Sequence, residues 1–155
     1  MNMKIWVDAD ACPGAVKDII VTAAHRRKVE TCFVANKMIS VPSSPMISTM
    51  QVDMSPDAAD RLIESLAVKG DLVITQDIPL AHALVQNAVT VINPRGEAFT
   101  PENIGERLSM RNLMQDVRDA GELTGGPKAF GEKEKRAFAS MFDKELTRLL
   151  RASNL

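Results

Sequence analysis

The chain has no tyrosine, and aromatic residues make up only 4% of its 155 positions. An aromatic platform for stacking the bases of a single strand therefore has little to be built from. Cysteine is scarce too. Cys12 and Cys32 are the only two, which excludes a disulfide scaffold and suits a reducing compartment. No stretch approaches the ~20 consecutive apolar residues of a membrane span. Asp8 and Asp10 arrive before any long apolar run, so no secretory leader is expected and the expected location is cytoplasmic. Net charge is nearly absent: 19 basic against 20 acidic side chains leaves −1. The whole chain thus has no basic field to attract a polyanion, and any such site must come from local clustering. With 45% hydrophobic and 25% charged residues, wholesale disorder is also excluded. The length suits one domain.

Charge is unevenly spread. Residues 1–100 carry 9 basic and 11 acidic side chains, whereas residues 101–155 carry 10 and 9 in about half the length. The first part reads as an α/β body, the second as a C-terminal helical extension of the same domain. In the body, strands are expected at Lys4–Val7, Thr31–Ala35, Met50–Met54, Leu72–Thr75 and Val89–Ile92, from their apolar and β-branched content. Residues 37–48, with Pro42 and Pro45, read as a loop. Helices are expected after Pro13, after Ser55-Pro56-Asp57 and after Asp77-Ile78-Pro79, each opening on a start signal. Strand and helix alternate, which predicts parallel βαβ units. Beyond Pro101 one helix should reach about Ala120 with Ile104, Leu108, Leu113, Met114 and Val117 inward. A last helix should run from about Glu132 to Arg151, burying Phe138, Phe142 and Leu146.

In a parallel sheet all strands end on one edge, where ligands bind. Asp8 and Asp10 follow the first expected strand. Asp53, Asp57 and Asp60 lie at or after the third, Asp77 follows the fourth, and Asn93 the fifth. A rim of carboxylates results. Carboxylates a few ångströms apart repel and do not all stay ionised without a cation. All-oxygen donors suit Mg²⁺ or Mn²⁺, the apparatus of phosphoryl and phosphodiester chemistry. A plainer role is also open: Asp10, Asp57 and Asp77 stand near helix starts, where Asp is a good cap. Capping does not account for Asp8, at a strand end, or for Asp60, a turn inside its helix. Cys12 has no histidine near it in sequence and reads as an inert thiol.

The blocks Val7-Asp8-Ala9-Asp10-Ala11-Cys12-Pro13, Asp57-Ala58-Ala59-Asp60, Ile74-Thr75-Gln76-Asp77-Ile78-Pro79-Leu80-Ala81 and Gly125-Gly126-Pro127-Lys128 resemble the signature of the YaiI/YqxD family of uncharacterised bacterial proteins, over nearly the whole chain. That family is grouped with PIN-like domains, which are Mg²⁺- or Mn²⁺-dependent nucleases. The resemblance implies a PIN-like three-layer α/β sandwich with a mostly parallel central sheet and added C-terminal helices, spanning residues 1–155 as one domain. It also implies catalytic roles for Asp8, Asp10, Asp60 and Asp77, with Asp57 joining them around the metal, and single-stranded RNA as the partner. Where PIN nucleases often carry a fourth acid, this chain has the neutral Asn93.

Arg107, Arg111 and Arg118 fall within about 40° of one another on a helical wheel. With Asn93, Arg95 and Lys128 they are the candidate contacts to a nucleic-acid backbone. The alternative is surface charge paired with Glu102, Glu106 and Glu122. Three functions fit these features. The first is a metal-dependent nuclease hydrolysing RNA phosphodiesters. The second is a phosphatase with Asp8 as nucleophile, suggested by Asp8-Ala9-Asp10 after a strand. The third is a non-catalytic RNA- or ribosome-associated binding module. The oligomeric state is left open.

Overall fold

A computed structural model describes residues 2–121 and 129–153. Six strands form one sheet: β1 (Lys4–Asp8), β2 (Glu30–Ala35), β3 (Ile47–Gln51), β4 (Leu72–Ile74), β5 (Thr90–Ile92) and β6 (Ala98–Phe99). Their order is β3-β2-β1-β4-β5-β6. All neighbouring pairs are parallel except β5–β6. The helices are α1 (Gly14–Arg27), α2 (Ala58–Leu66), α3 (Ile78–Gln86), α4 (Ile104–Asp119) and α5 (Glu132–Ser153). A short 3₁₀ turn, Ala9–Ala11, follows β1.

Strand alternation builds the layers. Ile5, Val7, Phe33, Leu72, Ile74 and Ile92 face one side, where Val16 and Ile20 of α1 and Phe138, Phe142, Leu146 and Leu149 of α5 meet them. Trp6, Val34, Val73 and Val91 face the other, against Ile63 of α2, Leu80 and Leu84 of α3 and Ile104 of α4. The result is a three-layer α/β sandwich. The last helix completes the layer that α1 begins, with Phe138 and Phe142 stacked at 5.3 Å between centroids. The turn before β6 lies hard on that helix. A β-carbon at Gly96 would sit 2.4 Å from the Ala137 backbone, and Gly96 has φ +85°, so only glycine fits there.

Three differences from the sequence expectation have physical reasons. The third strand lies at Ile47–Gln51 rather than Met50–Met54, because its register is set by pairing Thr31 to Ile47, and its polar Ser48 and Thr49 carry no apolar signal. The β2–β3 crossover is a loop, as expected, up to β3 at Ile47: Pro42 and Pro45 exclude a helix, and Ile39 and Val41 pack directly on the core. The two-residue β6 was too short to be expected. In α4 only Ile104 is buried, while Leu113 and Met114, expected inward, are 54% and 38% exposed. The helix outruns the surface it packs on, so its second half has no layer to bury against.

The sheet order also positions the site. Connections from β1 lead outward to β2 and β3, whereas β4 lies on the other side of β1 and leads on to β5. The crevice between the C-terminal ends of β1 and β4 is the switch point where such sheets bind ligands.

Candidate functional site

Asp8 is the last residue of β1 and half-buried at this crevice. Its Oδ2 accepts a hydrogen bond from the Thr75 hydroxyl at 2.8 Å. Thr75 is fully buried just after β4, and its oxygen accepts from the Asp77 backbone N–H at 3.0 Å. The Thr75 proton is thereby directed to Asp8. The loop that carries Asp77 is tied to the strand that carries Asp8. Asp77 caps α3, its Oδ1 accepting from Leu80 N–H at 2.8 Å.

The cap expectation resolves residue by residue. Asp77 caps. Asp57 occupies the N-cap position of α2 but makes no side-chain cap bond, and it is held at φ +66°. Asp10 sits in the 3₁₀ turn, and its Oδ2 accepts from Asn36 N–H at 2.8 Å, pinning the chain that leaves β2. Asp60 lies in the first turn of α2. Asp53 turns back on its own loop and accepts from the backbone N–H and the hydroxyl of Ser55. Those bonds hold its carboxyl below the usual range.

One carboxylate oxygen from each of Asp57, Asp60 and Asp77 lies within 4.8 Å of the others. The electrostatics follow. Burial pushes the Asp60 carboxyl up to about 8, reinforced by a proton shared with Asp77 and by the charges of Asp77, Asp8 and Asp57. Burial also raises Asp8, with Asp77 and Asp10 adding to it, against the opposing bond from Thr75. A cavity of about 180 Å³ opens over the cluster, lined by Asp8, Asp10, Asn36, Asp53, Asp57 and Asp60 among others. None of its lining residues is cationic. The donor set is oxygen throughout, and it retains a proton where a cation would compensate it. Oxygen donors in such a cluster are the kind that hard divalent ions favour.

The other expected contacts are distributed differently. Asn93 is buried at the β5–β6 turn, its Oδ1 accepting from the N–H groups of Arg95 and Glu97 and its Nδ2 donating to Glu97 at 2.8 Å. Arg95 pairs with Glu134 at 3.6 Å. Arg107 pairs with Glu97 at 3.1 Å and lies over the Phe99 ring. Its partner is thus not among the glutamates the sequence suggested. Arg111 and Arg118 are exposed on the overhanging half of α4, where Arg111 donates to the Asn112 side chain. Lys128 and the Gly125-Gly126-Pro127 block lie outside the described residues. Burial pushes the Cys12 thiol up to about 12, so it stays protonated and is no nucleophile. Asn36 was missed, since it contributes a backbone amide and leaves no side-chain signal. Thr75 was legible only as part of the Thr75-x-Asp77 spacing.

The molecule is thus an α/β sandwich with carboxylates gathered at the switch point of its sheet. The family described as "Uncharacterized BCR, YaiI/YqxD family" matches residues 6–148, and the chain belongs to it. It is 54% identical over 146 residues to a UPF0178 protein of Syntrophobacter fumaroxidans, covering 94% of this chain and 95% of that one. A UPF0178 protein of Myxococcus xanthus is 54% identical over 149 residues, at 96% and 97% coverage. One of Dechloromonas aromatica is 50% identical over 147 residues, at 95% and 98%. No solved structure matches the chain. Among the described residues no helix is long and apolar enough to cross a membrane.

Proposed function

We propose that the protein is a Mg²⁺- or Mn²⁺-dependent hydrolase of phosphodiesters, acting on RNA in the manner of PIN-like nucleases. The observation that carries this reading is the convergence of Asp57, Asp60 and Asp77 within 4.8 Å, beside an Asp8 oriented by Thr75. Asp60 and Asp77 would hold the ion, with Asp8, Asp57 and Asp10 completing its surroundings. When bound, such an ion supplies polarisation of the phosphodiester and a nucleophile from water at neutral pH. The chain's own part is preorganisation. Thr75 fixes the Asp8 carboxylate, the α3 cap fixes Asp77, and Asp60 keeps its proton until a cation takes its place.

The shape of the site favours a polymer. About 180 Å³ is below the roughly 300–1,000 Å³ of pockets that enclose small molecules, while an open edge admits a backbone passing across it. A phosphatase using Asp8 as nucleophile finds less support. No lysine or arginine lines the cavity to balance an aspartyl-phosphate, and the Asp8 oxygen that Thr75 engages is already committed.

The test is cleavage of single-stranded RNA, single-stranded DNA and a phosphomonoester panel, with and without Mn²⁺, for the native chain, Asp8→Asn and Asp77→Asn. Metal-dependent RNA cleavage, lost in both variants, supports the proposal. Monoester release through a covalent intermediate on Asp8 supports the phosphatase. RNA binding with no turnover in any metal leaves a binding module.

A further inference from the structure

Strand β3 leaves one of the two sheet edges without a neighbouring strand among the described residues. Strand β3 stands at the end of the sheet, and its residues from Ser48 to Gln51 are all exposed. The phase of its bonding to β2 is set by two contacts: Thr31 N–H donates to the Met46 carbonyl, and Val52 N–H donates to the Ala35 carbonyl, both at 2.8 Å. With Thr31 registered on Ile47, the even-numbered residues of β3 direct their backbone groups inward. The odd-numbered ones direct theirs outward. Thr49 and Gln51 therefore present N–H and C=O groups to solvent. Ile47 presents its carbonyl, since its N–H already reaches the Ser44 carbonyl at 3.3 Å.

Exposed edges are normally protected by a charged side chain, a proline or a bulge. This one has none. Between Lys37 and Asp53 there is no charged residue at all, in a chain where one residue in four is charged. Pro42 and Pro45 lie before the strand rather than in it. We infer that β3 pairs antiparallel with β3 of a second copy of this chain, about a two-fold axis at Thr49. In that register each Thr49 N–H donates to the partner's Thr49 carbonyl, and each Gln51 N–H to the partner's Ile47 carbonyl. The one donor that a complete ladder would ask for and not find is Ile47 N–H, which Ser44 satisfies. Across the axis Thr49 meets Thr49 on one face of the sheet. On the other, Met50, itself 38% exposed, meets Ser48. Thr–Thr pairs are favourable in antiparallel strands. The neutrality of the strand favours a second copy over a foreign peptide, because only in a two-fold pair does any charge at the centre meet its own like. The interface joins two six-stranded sheets into one. It leaves the carboxylate cluster, between β1 and β4, outside the contact.

Sedimentation equilibrium of the full chain over a wide micromolar range, with amide hydrogen exchange followed by NMR, tests this. A species of twice the chain mass is expected. The Thr49 and Gln51 amides should exchange more slowly as concentration rises. Thr49→Lys sets two like charges face to face and should weaken dimerisation about fivefold or more. Gln51→Lys provides a second variant should the first fold poorly. A monomer at every concentration, with fast-exchanging Thr49 and Gln51 amides, overturns the inference. So does a dimer whose dissociation constant neither substitution changes.

Discussion

Aspartates at the two ends of the same sheet have opposite surroundings. At the N-terminal edge, Asp71 is buried to 4% exposure and surrounded by donors. Its Oδ1 accepts from Lys4 N–H at 3.0 Å. Its Oδ2 accepts from Trp6 Nε1–H at 3.0 Å and from Val68 N–H at 3.1 Å. At the C-terminal edge, Asp57, Asp60 and Asp77 face one another. Burial, and then the neighbouring carboxylates, push the Asp60 carboxyl up there to about 8. A buried carboxylate that is fully bonded serves the fold. A cluster that pushes the Asp60 carboxyl up works against stability at neutral pH, and such perturbed groups gather at functional sites. The two edges should therefore respond oppositely to substitution.

The largest effect is expected at the structural edge. Asp71→Ala strands the Trp6 indole N–H and two backbone donors and should cost about 2–4 kcal/mol, or prevent folding, read by urea unfolding. Asp60→Asn, in the same assay without metal, should leave stability unchanged or raise it. Equal losses in the two variants would break the contrast. At the C-terminal edge, the proposed function predicts that Asp8→Asn and Asp77→Asn lower Mn²⁺-dependent RNA cleavage by about a hundredfold or more with unfolding midpoints little moved. Asn keeps the cap that Asp77 gives α3.

The pH dependence sharpens the difference. In the metal-free protein, folding raises the Asp60 carboxyl from its ordinary 3.8 to about 8. The folded chain then binds more protons than the unfolded one between those values. The stability this contributes is full below about 4 and is lost as pH rises through about 8. Unfolding midpoints measured across that window should decline with pH in the native chain and lie flatter in Asp60→Asn. Mn²⁺ should release a proton on binding near neutrality, detectable as a buffer-dependent heat. A smaller effect is expected from Thr75→Val, which removes the donor to Asp8 and lets that carboxyl rise further. A loss of about tenfold in activity is expected, comparable to other groups that orient a ligand, with the acid limb of the pH–rate profile displaced upward. Arg107→Gln should be the mildest. Its pair with Glu97 is partly exposed, and such pairs contribute about 1 kcal/mol or less.

Legibility in the sequence followed the same division. The alternation of apolar strands with capped helices gave the parallel core and located Asp8 and Asp77 at strand ends, because burial and capping leave strong local signatures. The edge strand β3 was misplaced by three residues, because a solvent-exposed strand has no apolar pattern to mark it. The overhang of α4 was invisible because amphipathicity reports which face could be buried, not whether anything lies opposite. At the rim, residue types and spacing marked the acids. Asn36, which enters only through its backbone amide, and Asp71, whose donors come from residues 4, 6 and 68, could be found only once the chain was folded.

The most direct test of the carboxylate rim as an ion site is the anomalous difference map of a crystal soaked in Mn²⁺. The expected result is a peak among the carboxylates of Asp57, Asp60 and Asp77, within reach of Asp8, and absent in an Asp77→Asn crystal. No peak at the rim at saturating Mn²⁺, or one that survives Asp77→Asn unchanged, would contradict it.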